Sequence, residues 1–131
     1  MSGKTIFIWG ARLIAAILMF QTLFYKFTGS KESIEIFTTV GMEPWGRYGV
    51  GVMELVASVL LLIPSISWMG ALIAIGLMLG AIGMHLTLLG IEVQGDGGQL
   101  FIYAVAVLIC SLYVLWQDRE KAITFLNKFK S

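Results

Sequence analysis

The stretch Leu72–Gly98, LIAIGLMLGAIGMHLTLLGIEVQGDGG, decides the reading of this chain. Its first part is apolar for long enough to cross a hydrocarbon core about 30 Å thick, which takes about 20 helical residues. Its last part is an acidic, glycine-rich loop that ends a helix. Inside the apolar run stands His85, the one histidine in the protein. An imidazole at such a depth is expected to face the interior of a helix bundle, where a polar partner can meet it, and not the lipid.

The composition carries the same message across the chain. Of 131 residues 58% are hydrophobic and 13% charged, and the mean hydropathy is +0.88. A soluble domain carries about a quarter charged residues. The deficit predicts an integral membrane protein, and the length predicts one membrane domain over 1–131. A net charge of +1 leaves no electrostatic footprint for nucleic acid. The one cysteine, Cys110, excludes an intrachain disulfide and any CxxC motif. No phosphate loop, nucleophile elbow or metal-spaced His/Cys cluster is present. No metal is therefore expected, and no catalytic residue can be named.

Four segments have the length and apolarity of a span: 5–25, 44–63, 67–90 and 99–117. The first is not followed by a small-residue cleavage site and reads as a retained helix. "IPSIS" makes the break between the second and third spans, and "EVQGDGG" the break between the third and fourth. Between the first two, Ile34, Ile36, Phe37 and Val40 recur at near-helical spacing among charged residues. That predicts a short amphipathic helix over about 31–41, at the interface and ended by Gly41. The expected fold is thus all-α: a four-transmembrane-helix bundle with an interfacial helix between its first two members. Trp9, Trp45, Trp68 and Trp116 all fall at proposed helix ends, as amphipathic rings do at the headgroup level. Lys4, Arg119, Lys121, Lys128 and Lys130 gather on the side of the termini, which predicts that both termini are cytoplasmic. The tail 118–131 reads equally as a basic amphipathic helix on the inner leaflet and as a solvated helix end.

Arg12, Gln21, Glu54 and His85 fall inside the spans, where a charge costs roughly 2.5–3.5 kcal/mol on the lenient insertion scale. At 1.5 Å per residue, Glu54 lies ~12–15 Å and His85 ~8 Å below the outer boundary, levels at which the two can meet. Arg12 lies ~11 Å from the inner boundary, able to reach toward Glu54 or down to the headgroups. Helical spacing aligns Gln99, Tyr103, Ala106, Cys110, Tyr113 and Gln117 on one face of the fourth span. Each span then has one polar or small-residue face, and these faces are expected to converge. Each residue also has a plainer reading. His85 can bond a backbone carbonyl, Glu54 and Arg12 can be a structural ion pair, and Arg12 can be a topology anchor. Lys26, Lys31 and Arg47 can anchor at the interface. The Gly and Ala residues of the third span can serve close helix packing, with Gly76 and Gly80 forming GxxxG.

At this point the chain resembles the DoxX and DoxX-like membrane proteins over nearly its whole length. The resemblance rests on "ARLIAAILMFQTLFYKF", "IEIFTTVGMEPWG", "GVMELVASVLLLIP" and "GALIAIGLMLGAIGMHLTLLG", in that order. It implies a four-helix membrane bundle, in a bacterial inner membrane, with Arg12, Lys26, Glu54 and His85 as functional candidates. It also implies membrane redox work, as in the small subunits of thiosulfate:quinone oxidoreductase and a mycobacterial complex of a superoxide dismutase and a thiol enzyme. More distant eukaryotic relatives look like membrane chaperones. The chain departs from that pattern twice: it lacks the cysteine pairs of thiol-active relatives, and "PSISW" stands where a glycine and an arginine are expected.

The expectation is an accessory or binding subunit of a quinone-linked system, not a stand-alone enzyme. Arg12, Lys26, Glu54, His85 and Tyr103 are the candidates for ligand binding or proton relay. The pocket would suit a quinone-like headgroup, with His85 and Glu54 passing a proton. The other expectation is an assembly factor, or chaperone-like scaffold, for another membrane protein. The bilayer is the first partner in either case, with a protein partner or a homo-oligomer beside it.

Overall fold

A computed structural model describes residues 2–93 and 95–130; Gln94 and the side chain of Lys130 lie outside the described residues. The described chain is helical, in the order α1 (Gly3–Thr28), α2 (Lys31–Thr39), α3 (Trp45–Leu61), α4 (Ser67–Met84), a π-turn (His85–Leu89), α5 (Gln99–Gln117) and α6 (Arg119–Lys130). Three helical stretches are long and apolar enough to cross a membrane: Gly3–Thr28, Ser67–Leu89 and Gln99–Gln117. α3 falls just short of them, with 17 residues.

The helix ends follow local chemistry. Ser2 caps α1 by accepting from the Thr5 N–H, which starts the helix before the expected residue 5. Gly29 closes it in the left-handed conformation (φ +68°), its N–H reaching back to the Tyr25 carbonyl. Ser30 caps α2 by accepting from the Ser33 N–H. The Asp96 carboxylate ties the glycine-rich loop to α5: it accepts from Val93, Gly98 and Leu100 N–H groups at 3.0, 2.8 and 3.3 Å. Burial alone would raise the Asp96 pKa, but these donors win and hold it below the ordinary aspartate value.

α1 packs on α3 and α5, and α4 packs on the same two helices, so the four close a ring. The centre is made of small and flexible side chains: Ala15, Met19, Ala57, Leu61, Ala71, Ala74, Val107 and Val114. Gly70 shows why small residues are needed. A Cβ there would meet the Leu61 nitrogen at 2.6 Å and the Ala57 oxygen at 2.7 Å, so α3 and α4 touch backbone to backbone. The outward faces are apolar instead. Phe7, Ile17, Leu79 and Ile109 are each more than half exposed, as suits a molecule whose solvent is hydrocarbon.

Two expectations about faces need correction. The interior stripe of α5 is Ala104, Val107, Ser111 and Val114, about 100° around from the polar stripe read from spacing. Close approach to α1 and α4 selects small side chains there, and Cys110, Tyr113 and Gln117 sit on the flank, half-buried. The small residues of α4 also divide. Gly70 serves close packing, whereas a Cβ at Gly76, Gly80 or Gly83 would meet open space.

Candidate functional site

Lys26 and Glu54 form the polar centre of the ring. Glu54, in α3, is 2% exposed. Its Oε1 lies 2.7 Å from Lys26 Nζ, as an ion contact and not an aligned hydrogen bond. Its Oε2 accepts from Thr22 Oγ1, also at 2.7 Å. Thr22 and Lys26 are one turn apart on α1, so one helix face delivers both partners to the same carboxylate. A buried carboxylate is tolerable only with such compensation. Arg47 sets the Lys26 backbone: its guanidinium donates to the Lys26 carbonyl and to Glu43, and stacks over Tyr48. This couples the end of α1 to the start of α3.

The Lys26–Glu54 pair lies on the wall of a cavity of about 560 Å³. α1 contributes Met19, Gln21, Thr22 and Lys26, and α3 contributes Val50 and Glu54. α4 presents Gly76 and Gly80, whose missing side chains open the space, and its π-turn presents His85. α5 adds Gln99, Tyr103 and Val107, and α2 closes one end with Ser33 and Phe37. Apolar walls with a few polar groups are the composition of a small-molecule site.

His85 is buried, with its ring edge-on to Phe101. Its Nδ1 pairs with the Gly90 carbonyl at 2.8 Å. The π-turn at 85–89 and the positive φ of Gly90 bring that carbonyl back over the ring. Tyr103 is half-buried, and its hydroxyl oxygen accepts from Gln99 Nε2 at 2.5 Å. Lys26, Glu54, His85 and Tyr103 thus share one chamber, although His85 is not bonded to Glu54.

Arg12 stands apart from this chamber. It is 4% exposed, and its guanidinium donates to Ser67 Oγ at 3.0 Å and pairs with Asp118 at 3.3 Å. Ser67 in turn donates to the Leu61 carbonyl. The Arg12–Glu54 pair does not form, because Asp118 meets Arg12 near the start of α1 and Lys26 meets Glu54 near its end. The network ties α1, the α3–α4 turn and the start of α6 together. Lys121 adds a bond to the Pro64 carbonyl, and Phe125 packs on Trp68.

Thr22, Ser67 and Asp118 escaped the reading of the sequence. Thr22 carried a usable signal, a hydroxyl one turn before Lys26 in an apolar run. Asp118 sits at a helix junction in a charged segment and looked solvated, and nothing local tells that Arg12 reaches it.

No curated protein and no solved structure matches the chain. The family model described as DoxX matches residues 7–87, well over half of the chain and the part holding Arg12, Lys26, Glu54 and His85. Given that match, the chain belongs to the DoxX family.

Proposed function

We propose that this protein is a membrane subunit that holds a lipophilic ligand in the chamber between α1, α3, α4 and α5, as an accessory of a quinone-linked redox system. The observation that carries the reading is the Lys26–Glu54 pair on the wall of an otherwise apolar cavity. A buried ion pair is a poor way to gain stability, because apolar residues of the same volume do as well or better. A ligand headgroup gives the pair a use: it meets fixed charges with little water to compete. Tyr103, Gln99 and His85 add further hydrogen-bonding groups, and Gly76 and Gly80 leave a flat wall beside which a ring can lie.

In this reading all four helices of the ring cross the bilayer. At 1.5 Å per residue α3 spans about 25 Å, which suffices for a slightly thinned core. α2 lies at the outer interface over the chamber. Both termini face the cytoplasm, where the basic residues of α6 meet the inner leaflet. Arg12 is structural, holding the cytoplasmic end shut.

The test is titration of the purified protein, in detergent or nanodiscs, with a short-chain soluble quinone followed by tryptophan fluorescence or calorimetry. Saturable binding that weakens at least tenfold in Glu54→Gln is the expected result. Affinity unchanged in both Glu54→Gln and His85→Ala ends the proposal.

A further inference from the structure

The hydrogen bond of His85 says which form of a ring ligand the chamber takes. Gly90 offers a carbonyl oxygen, which can only accept. The contact with Nδ1 at 2.8 Å therefore places the imidazole proton on Nδ1. A neutral imidazole has one N–H, so Nε2 is left with a bare lone pair. No described residue supplies a donor to Nε2, while the residue as a whole is 6% exposed and belongs to the cavity wall. Two edges of the ring are already engaged, by Gly90 and by Phe101. What His85 has left to offer the chamber is an acceptor.

We propose that His85 Nε2 accepts a hydrogen bond from a ligand hydroxyl, so that the chamber favours the phenolic, reduced form of a quinone-type ring over the oxidised form. This rests on the reading of the chamber as a ligand site. A quinone has two carbonyl oxygens and no donor, and it would set an acceptor against an acceptor at Nε2. A quinol brings an O–H to the same place. Lys26 Nζ and the Tyr103 O–H serve either form at its other oxygen, so they do not discriminate. The discrimination lies in the tautomer, and the tautomer is set by the backbone of the π-turn.

The experiment compares three probes on the full-length protein at pH 8, where an ordinary histidine is neutral: a short-chain benzoquinol under anaerobic conditions, the matching quinone, and the quinol dimethyl ether. The variant is His85→Asn, whose amide N–H can still reach the Gly90 carbonyl but which has nothing at the position of Nε2. The quinol is expected to bind wild type about three- to tenfold tighter than either other probe, the range of one neutral hydrogen bond. In His85→Asn that preference disappears, the quinol binding no tighter than the quinone does. Because the chain has one histidine, ¹⁵N-histidine labelling gives one assignable ring. Its Nε2 should appear unprotonated in the free protein and shift toward hydrogen-bonded values when quinol is added. A proton found on Nε2 in the free protein overturns the proposal, as does a quinol preference that survives in His85→Asn. Equal affinity of wild type for quinol and quinone overturns it too, but leaves the ligand site standing. If none of the three probes binds, the site reading fails and this inference with it.

Discussion

Removing Lys26 should destabilise the protein more than removing Glu54, although both deletions break the same 2.7 Å contact. The reason is unequal burial. The Glu54 side chain is 3% exposed and short, whereas the Lys26 side chain is 16% exposed at the end of α1. In Lys26→Met the carboxylate keeps the Thr22 hydroxyl but loses its counter-ion, and stranding a buried charge costs about 3–5 kcal/mol. In Glu54→Gln the ammonium can swing toward the headgroups on its flexible stem, and the amide still offers it an oxygen, so the loss is about 1–2 kcal/mol. The double variant Lys26→Met/Glu54→Gln carries no stranded charge and should lie within about 1 kcal/mol of wild type. Reversible unfolding in mixed micelles, followed by far-UV circular dichroism, gives the three differences directly. If Glu54→Gln is the more damaging single change, the asymmetry argued from burial is wrong. If the double variant is as unstable as the sum of its parents, the two groups are not coupled and the pair is not the centre of the site.

Three further outcomes are expected. Arg12→Ala leaves Asp118, whose side chain is 6% exposed, with only the longer 3.9 Å contact to Lys121, and loosens the start of α6; protease cleavage within 119–130 should rise while cavity binding stays within about twofold of wild type. Gly70→Ala drives a Cβ into the backbone of α3 and should cost about 1–3 kcal/mol, whereas Gly80→Ala should leave stability nearly unchanged but weaken ligand binding by narrowing the chamber. Asp96 has a lowered pKa, so its stabilisation of the loop before α5 is complete above the unfolded value of about 3.9 and is lost as pH falls through the lower, folded value. Hydrogen exchange at Gly98 and Leu100 should accordingly be protected at neutral pH and unprotected in acid, and Asp96→Ala should abolish the protection at neutral pH. Protection that is identical in Asp96→Ala would show that the carboxylate does not hold the loop.

The separation of Arg12 from the chamber has a consequence for how the polar residues of this chain are understood. Arg12 and Lys26, the two charges of α1 withdrawn from the surface, lie 14 positions apart, about 21 Å along the helix. One meets Asp118 and the other meets Glu54. Two local pairs at opposite ends cost less than one long-range pair across the centre, which is lined by Ala15, Met19, Ala57 and Ala74. The family match covers both α1 residues, but only one of the two pairs borders the cavity.

Hydropathy alone was enough to read a membrane protein here, because a helix in lipid must be apolar on every face that lipid touches, and that demand is written along the chain residue by residue. The polar exceptions Lys26, Glu54 and His85 were visible for the same reason: against such a background each stands out. What spacing could not supply was which exceptions meet. Periodicity gives each helix a direction but not its rotation against its neighbours, so it does not show that only Gln99 and Tyr103 of the polar stripe of α5 reach the chamber while the small residues Ala104 and Ser111 fill the packed interior. Nor does it show that Gly70 packs while Gly80 opens a space, since both are glycines on one helix and only the distance to α3 separates them. Asp118 beneath Arg12, and the Gly90 carbonyl that sets the proton of His85, are decided by how the helices and the π-turn come together in three dimensions.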